Sequence, residues 1–115
     1  MGSEYWAMAT AYAFDILEQE ECAEAAKPEW WNDEGLKALS ARVVRAAPGD
    51  VQANAMRALV LSGQGGAWEE GARSAVELKE AATHYERAAA LHPAPAMKAL
   101  IAEYADECRR QAGAL

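Results

Sequence analysis

Residues that carry chemistry are scarce in this chain of 115 amino acids, which has two cysteines, two histidines and one phenylalanine. Cys22 and Cys108 lie far apart, which excludes a disulfide framework and the close ligand spacing of a small zinc site. Both are expected as reduced thiols. Strand-favouring β-branched residues are also few, with five Val, two Ile and two Thr, so an extensive sheet is excluded. No apolar run is long enough to cross a membrane. The segment from Met1 to Ala13 carries no positively charged leader, and its apolar stretch Tyr5 to Phe14 is bounded by Glu4 and Asp15. These absences predict a reducing, intracellular setting, cytoplasm or organelle stroma, without direct membrane insertion.

Positive charge is short as well. The net charge is −7, and residues 1–35 hold nine acids against Lys27 alone, so that third carries −8 while the remainder carries +1. Phosphate backbones would repel such a chain, which excludes nucleic acid as a direct partner and leaves a basic protein surface as a better fit.

Alanine is what the chain has in quantity, 29 of 115 residues. It is the strongest helix former, and helices lined with it can approach closely. One all-helical domain over 1–115 follows, because two halves would each be too small for a core. With few large aliphatic side chains, Trp6, Trp30, Trp31, Trp68, Tyr12, Tyr85 and Tyr104 are expected to supply much of the burial, or in part to face a partner. Each ring covers about 150–250 Å².

Periodicity and punctuation predict five helices. The first spans about Ser3 to Ala26, with Trp6, Ala9, Ala13 and Ile16 or Leu17 at helical spacing, and ends at Pro28. Asn32 caps a second, with Trp31 placed to staple onto Leu36; its inward row is Leu36, Leu39, Val43 and Ala47, leaving Lys37, Arg42 and Arg45 in solvent. Pro48, Gly49 and Asp50 turn the chain into a third helix that closes at Gly63. Residues 64–73 form a glycine-bearing loop pinned by Trp68. Ser74 and Glu77 have capping-box spacing and open a fourth helix, with Leu78, Ala81, Tyr85 and Ala88 on one side. Pro95 starts a fifth, whose apolar row is Met97, Leu100 or Ile101, Tyr104 and Cys108.

The order Ala81, Tyr85, Ala88, Pro93 resembles the second-helix signature of a tetratricopeptide repeat: small, aromatic, small and proline at fixed offsets. Aligning Pro48 with Pro93 gives an internal echo that sets Arg42 against Arg87, Val43 against Ala88 and Leu59 against Tyr104. The prolines are further apart than in that family, by the length of the glycine-bearing loop, and Ser40 stands where an aromatic is usual. Residues 28 to 113 are also similar to helical-repeat segments that recur in proteins of unicellular algae. The resemblance implies two and a half helix hairpins, pairs at about 3–47 and 51–92 and a capping helix at about 95–113, stacked as an α–α superhelix. It further implies a concave side, lined by the first, third and fifth helices, that receives a peptide or partner helix. Tyr5, Tyr12, Gln52, Asn54, Arg57 and Trp68 are the candidates for that contact.

The inventory for catalysis is thin. Glu80 and His84 form an i, i+4 pair, read as a surface ion pair; His92 precedes Pro93 and suits the carbonyl end of a helix. Cys22, His84, His92 and Cys108 lack metal-site spacing. The Gly63–Gly66 run lacks the Lys and Ser or Thr of a phosphate loop. Glu18, Glu20, Glu21 and Glu24 fall on a helix, not in a calcium loop. No enzyme activity and no cofactor are expected. The chain reads as a module or scaffold that binds another protein, with an obligate accessory subunit of a larger assembly as the alternative.

Overall fold

The computed structural model describes residues 2–17, 29, 31–63, 68 and 71–115. Five helices follow one another, α1 (Gly2–Leu17), α2 (Asp33–Ala46), α3 (Val51–Ser62), α4 (Ala75–Leu91) and α5 (Pro95–Gly113), and no strand occurs among the described residues. The expected extension of the first helix to Ala26, with Cys22 and the acids Glu18 to Glu24, lies outside them, as does Trp30.

The helix boundaries follow from their caps. Asn32 Oδ1 accepts from the Gly35 amide at 2.8 Å, and Asp50 Oδ2 accepts from the Ala53 amide at 2.9 Å, each satisfying a first-turn donor that has no partner inside its helix. Ser74 and Glu77 close both arms of a capping box, at 3.1 and 3.0 Å. Gly63 ends α3 in the left-handed region, with φ of 69°. Pro95 sits in the first turn of α5. No side chain caps that helix; His92 Nδ1 accepts from the Ala94 amide at 3.1 Å just before it.

Each helix packs against the next in sequence, and the pairings show the directions. Trp6 meets Arg42 and Phe14 meets Trp31, so α2 runs back along α1. Arg57 reaches the Lys37 carbonyl, so α3 runs back along α2. Asn54 meets His84 and Arg57 meets Glu80, and Tyr85 meets Tyr104, which reverses α4 on α3 and α5 on α4.

The core divides around α3. Ala53, Met56 and Val60 face a cluster with Ala7, Ala11 and Phe14 of α1 and Leu36 and Val43 of α2, while Ala58 and Leu61 face a second with Ala81, Ala82, Tyr85 and Ala88 of α4 and Ile101, Ala105 and Cys108 of α5. The small side chains of Ala81, Ala82 and Ala88 allow close approach of α4 to its two neighbours there. A radius of gyration of 13.6 Å matches the roughly 13 Å expected of a globular chain of this length, so the stack is closed up and not extended.

Several expectations need correction. Trp6, Tyr12 and Tyr104 do not bury their rings; all three remain substantially exposed. The inner row of α5 is Ile101, Ala105, Cys108 and Ala112, and Met97, Leu100 and Tyr104 sit at its exposed margin, because small residues fit the close approach of α4. Lys37 is not free in solvent but bonds Glu77 at 2.7 Å. His84 is not on the surface: it is 6% exposed, drawn inward by its bond to Asn54.

Candidate functional site

Three features could bear function: a polar network between α2, α3 and α4, a latch on the segment before α4, and the exposed apolar side of α1.

The network begins at Asn54, which is fully buried. Its Nδ2 donates to the carbonyls of Pro48 and Asp50, at 3.0 and 2.9 Å, which turns Oδ1 toward His84 Nδ1 at 3.0 Å. Two carbonyls can only be met by the amide nitrogen, so Nδ1 carries the imidazole proton. Nε2 then presents its lone pair 3.6 Å from Glu80 Oε2. That carboxylate is held by Arg57, whose Nε and Nη2 both donate to it, while Nη1 donates to the Lys37 carbonyl and Ser40 Oγ. Burial pushes the His84 pKa below its ordinary value; Arg87 and Arg57 push the same way and Glu80 opposes them. Both ring nitrogens face protein groups, and the Asn54–His84 bond ties the Pro48 corner to α4.

The latch joins Asp33, the first residue of α2, to Arg73. Arg73 is almost wholly buried, and its guanidinium takes both carboxylate oxygens, at 2.6 and 2.9 Å, while also donating to the Val60 carbonyl near the end of α3 and to the Gly71 carbonyl. Trp68 Nε1 donates to Asp33 Oδ1 at 3.1 Å, and its ring meets Trp31 and Phe14 edge-on. Arg73 holds the Asp33 carboxyl well below the usual carboxylate range; burial works against this, and the Trp68 and Gly71 hydrogen bonds add to it. Trp68 thus packs on the aromatic cluster and spends its polar atom inside the protein; residues 64–67, 69 and 70 of the expected loop lie outside the described residues. A Cβ at Gly63 would stand 3.0 Å from Arg73 Cγ, so this position needs glycine for space as well as for its positive φ.

Helix α1 is different, because it is apolar on two sides. Ala7, Ala11 and Phe14 lie in the core. Tyr5, Met8, Tyr12 and Ile16 recur at spacings of three, four and four, which places them along a second stripe on one side of the helix, and this stripe is exposed: 78% for Tyr5 and 61% for Tyr12. Beside it, between α1 and α2, runs a groove where the Arg42 guanidinium lies 5.1 Å from the centre of the Trp6 ring.

The structure thus separates the six residues singled out for partner contact. Tyr5 and Tyr12 share the exposed stripe. Gln52 is exposed and lines, with Asp15 and Leu59, a recess of only about 50 Å³ between α1 and α3. Asn54 is interior and Arg57 and Trp68 are spent on internal bonds, so these three do not join that surface. Ala81, Tyr85 and Ala88 all face the cluster shared by α3, α4 and α5, and Pro93 follows the end of α4. Trp6, Arg42 and Arg45 escape a reading based on polar positions of first-of-pair helices, because their groove lies between the two helices of one hairpin; the i, i+4 recurrence of Trp6 and Thr10 opposite Leu39 and Arg42 is the signal that points to it.

Among the described residues no three His, Cys, Asp or Glu side chains gather as a metal site would need, and no helix is long and apolar enough to cross a membrane. Cys108 is buried, and burial raises its pKa, which keeps it a thiol. Comparison of the chain with protein-family models, curated proteins and solved structures finds no match.

Proposed function

We propose that this protein is a small, tetratricopeptide-like helical module that binds another protein through α1. The observation that carries the reading is the second apolar stripe of α1. A helix apolar on two sides is normally covered on both, and a contiguous exposed patch of Tyr and Met is costly to leave in water unless something binds there. Tyr also gives large contact area for little conformational entropy, which suits an interface anchor. Support for repeat-like stacking comes from the two corners at Pro48 and Pro93, each just past a helix end, and from α3 serving two clusters at once.

The test is a photo-crosslinking amino acid placed at Tyr12 and, in a second variant, at Glu86 on the exposed side of α4. A partner crosslinked from Tyr12 and not from Glu86 is the result expected. Equal, diffuse labelling from both positions would remove the reading.

An accessory subunit held between two neighbours is the second reading. It is favoured by a further uncovered apolar margin, Met97, Leu100 and Tyr104, on α5 at the opposite end of the helix order. Substitutions on α1 and on α5 would then release different neighbours, each resisting high salt.

A further inference from the structure

We propose that the groove between α1 and α2 is a binding site for an acidic peptide segment, in which Arg42 and Arg45 take carboxylates and Trp6 takes an adjoining apolar side chain. The inference rests on the reading of this protein as a binding module, but on residues separate from the Tyr5–Tyr12 stripe.

The site is built from two adjoining recesses that share Trp6 and Arg42. One, of about 400 Å³, is floored by Leu39, Ala38 and Gly35; the other, of about 640 Å³, opens toward Ser3 and Arg45. The first is half-enclosed and the second is shallow and largely open to solvent, a form that suits an extended segment lying along the surface and not an enclosed small molecule. The small side chains of α2 create the space: nothing larger than Cβ stands at Gly35 or Ala38, and Trp6 beside them is 37% exposed.

Charge selects the occupant. Lys37, Arg57, Arg73, Arg109 and Arg110 are each engaged by a carboxylate. Arg42 and Arg45, like Lys79, Arg87 and Lys98, form no ion pair among the described residues, but only these two stand about one helical turn apart and line the same recess. Arg45 stands in the last turn of α2, where the carbonyl end of the helix favours a cation. Arg42 instead lies over the Trp6 ring. A guanidinium over an indole is attracted to the ring face without spending its N–H donors, which stay available for a carboxylate. A basic segment would meet two unneutralised arginines there and be repelled, so the groove and the acidic first third of the chain suit partners of opposite sign.

The test uses a fluorescein-labelled peptide alternating Glu and Leu, with Gln-for-Glu and Lys-for-Glu versions as controls, titrated against the whole protein at low and moderate salt. The expected result is binding of the Glu peptide alone, with a shift of the Trp6 indole resonance. It should weaken about tenfold or more in R42A/R45A, and by several-fold at higher salt. Both arginines are exposed, so the variant should keep the wild-type helical content and Tm; Y5E/Y12E should retain peptide binding, which separates failure of this proposal from failure of the α1 stripe. Equal affinity for the Glu and Gln peptides, or undiminished binding by folded R42A/R45A, would overturn it. So would inorganic phosphate displacing the peptide at its own affinity, since the site would then be one for small anions, or a concentration-dependent dimer lost in R42A/R45A, since the occupant would then be a second copy.

Discussion

Arg73 and Asp33, forty residues apart in sequence, meet in a two-pronged ion pair that fastens the residue before the Ser74 cap to the first residue of α2. The same guanidinium bonds the Val60 carbonyl, so one side chain ties together α2, α3 and the entry to α4. With its side chain only 6% exposed, Arg73 has little water to fall back on.

Removing either partner strands the other. Arg73→Ala and Asp33→Asn are each expected to lower stability by about 3 kcal/mol, and the double variant by much less than twice that. Urea denaturation of the four proteins measures the coupling. Gly63→Ala strikes the same place from below and should cost about 1–3 kcal/mol through its positive φ and its pressure on Arg73.

His84 gives stability a pH dependence of definite sign. Its folded pKa is depressed by burial, with Arg87 and Arg57 assisting, so the unfolded chain takes up the proton first as pH falls past its ordinary value of 6.5. Stability should therefore decline on acidification through that value, and His84→Gln, which keeps a donor for Asn54, should flatten the decline. The carboxylates of Asp33 and Glu77 act in a lower window: their pKa values are depressed, Arg73 holding down Asp33 and Lys37 holding down Glu77, so their contribution is present above the unfolded carboxylate range and is lost below it. Thermal melts across the pH range distinguish the two.

Tyr85 and Tyr104 touch, with centroids 5.6 Å apart, yet differ in burial. Tyr85→Ala should cost about 3 kcal/mol or more, as a large-to-small change in the core, and Tyr104→Ala about 1 kcal/mol. Equal costs would mean that α5 packs more deeply than described.

The punctuation of the fold is legible in the amino-acid sequence. Asn32, Asp50, Gly63, the Ser74–Glu77 box and Pro95 act where they stand in the chain, because caps are local chemistry. Which aromatic rings turn inward is not legible, because periodicity gives a helix its faces without saying which face a neighbour will cover. Tyr12 and Phe14 are two residues apart on α1 and lie on opposite sides of that decision. The burial of His84 escapes the sequence for a related reason. Its i, i+4 relation to Glu80 is visible there, but the bond that draws it inward comes from Asn54, thirty residues away. The candidate site is half legible: Tyr5 and Tyr12 stand out as amphipathic residues, whereas the Trp6 groove depends on what α2 lays beside it.

The α1 stripe makes its own prediction about stability. Tyr5→Glu and Tyr12→Glu remove exposed rings from the surface and should change the stability of the isolated protein by no more than about 0.5 kcal/mol. A loss of several kcal/mol would show that the stripe is covered within the monomer.

The most direct measurement is co-purification from the native source with tagged wild-type protein and tagged Y5E/Y12E, after both have been shown to share the same helical content and Tm. If α1 is the docking surface, a stoichiometric protein partner is retained by the wild type and lost by the variant. An identical set of partners for both, or none for either, would contradict it.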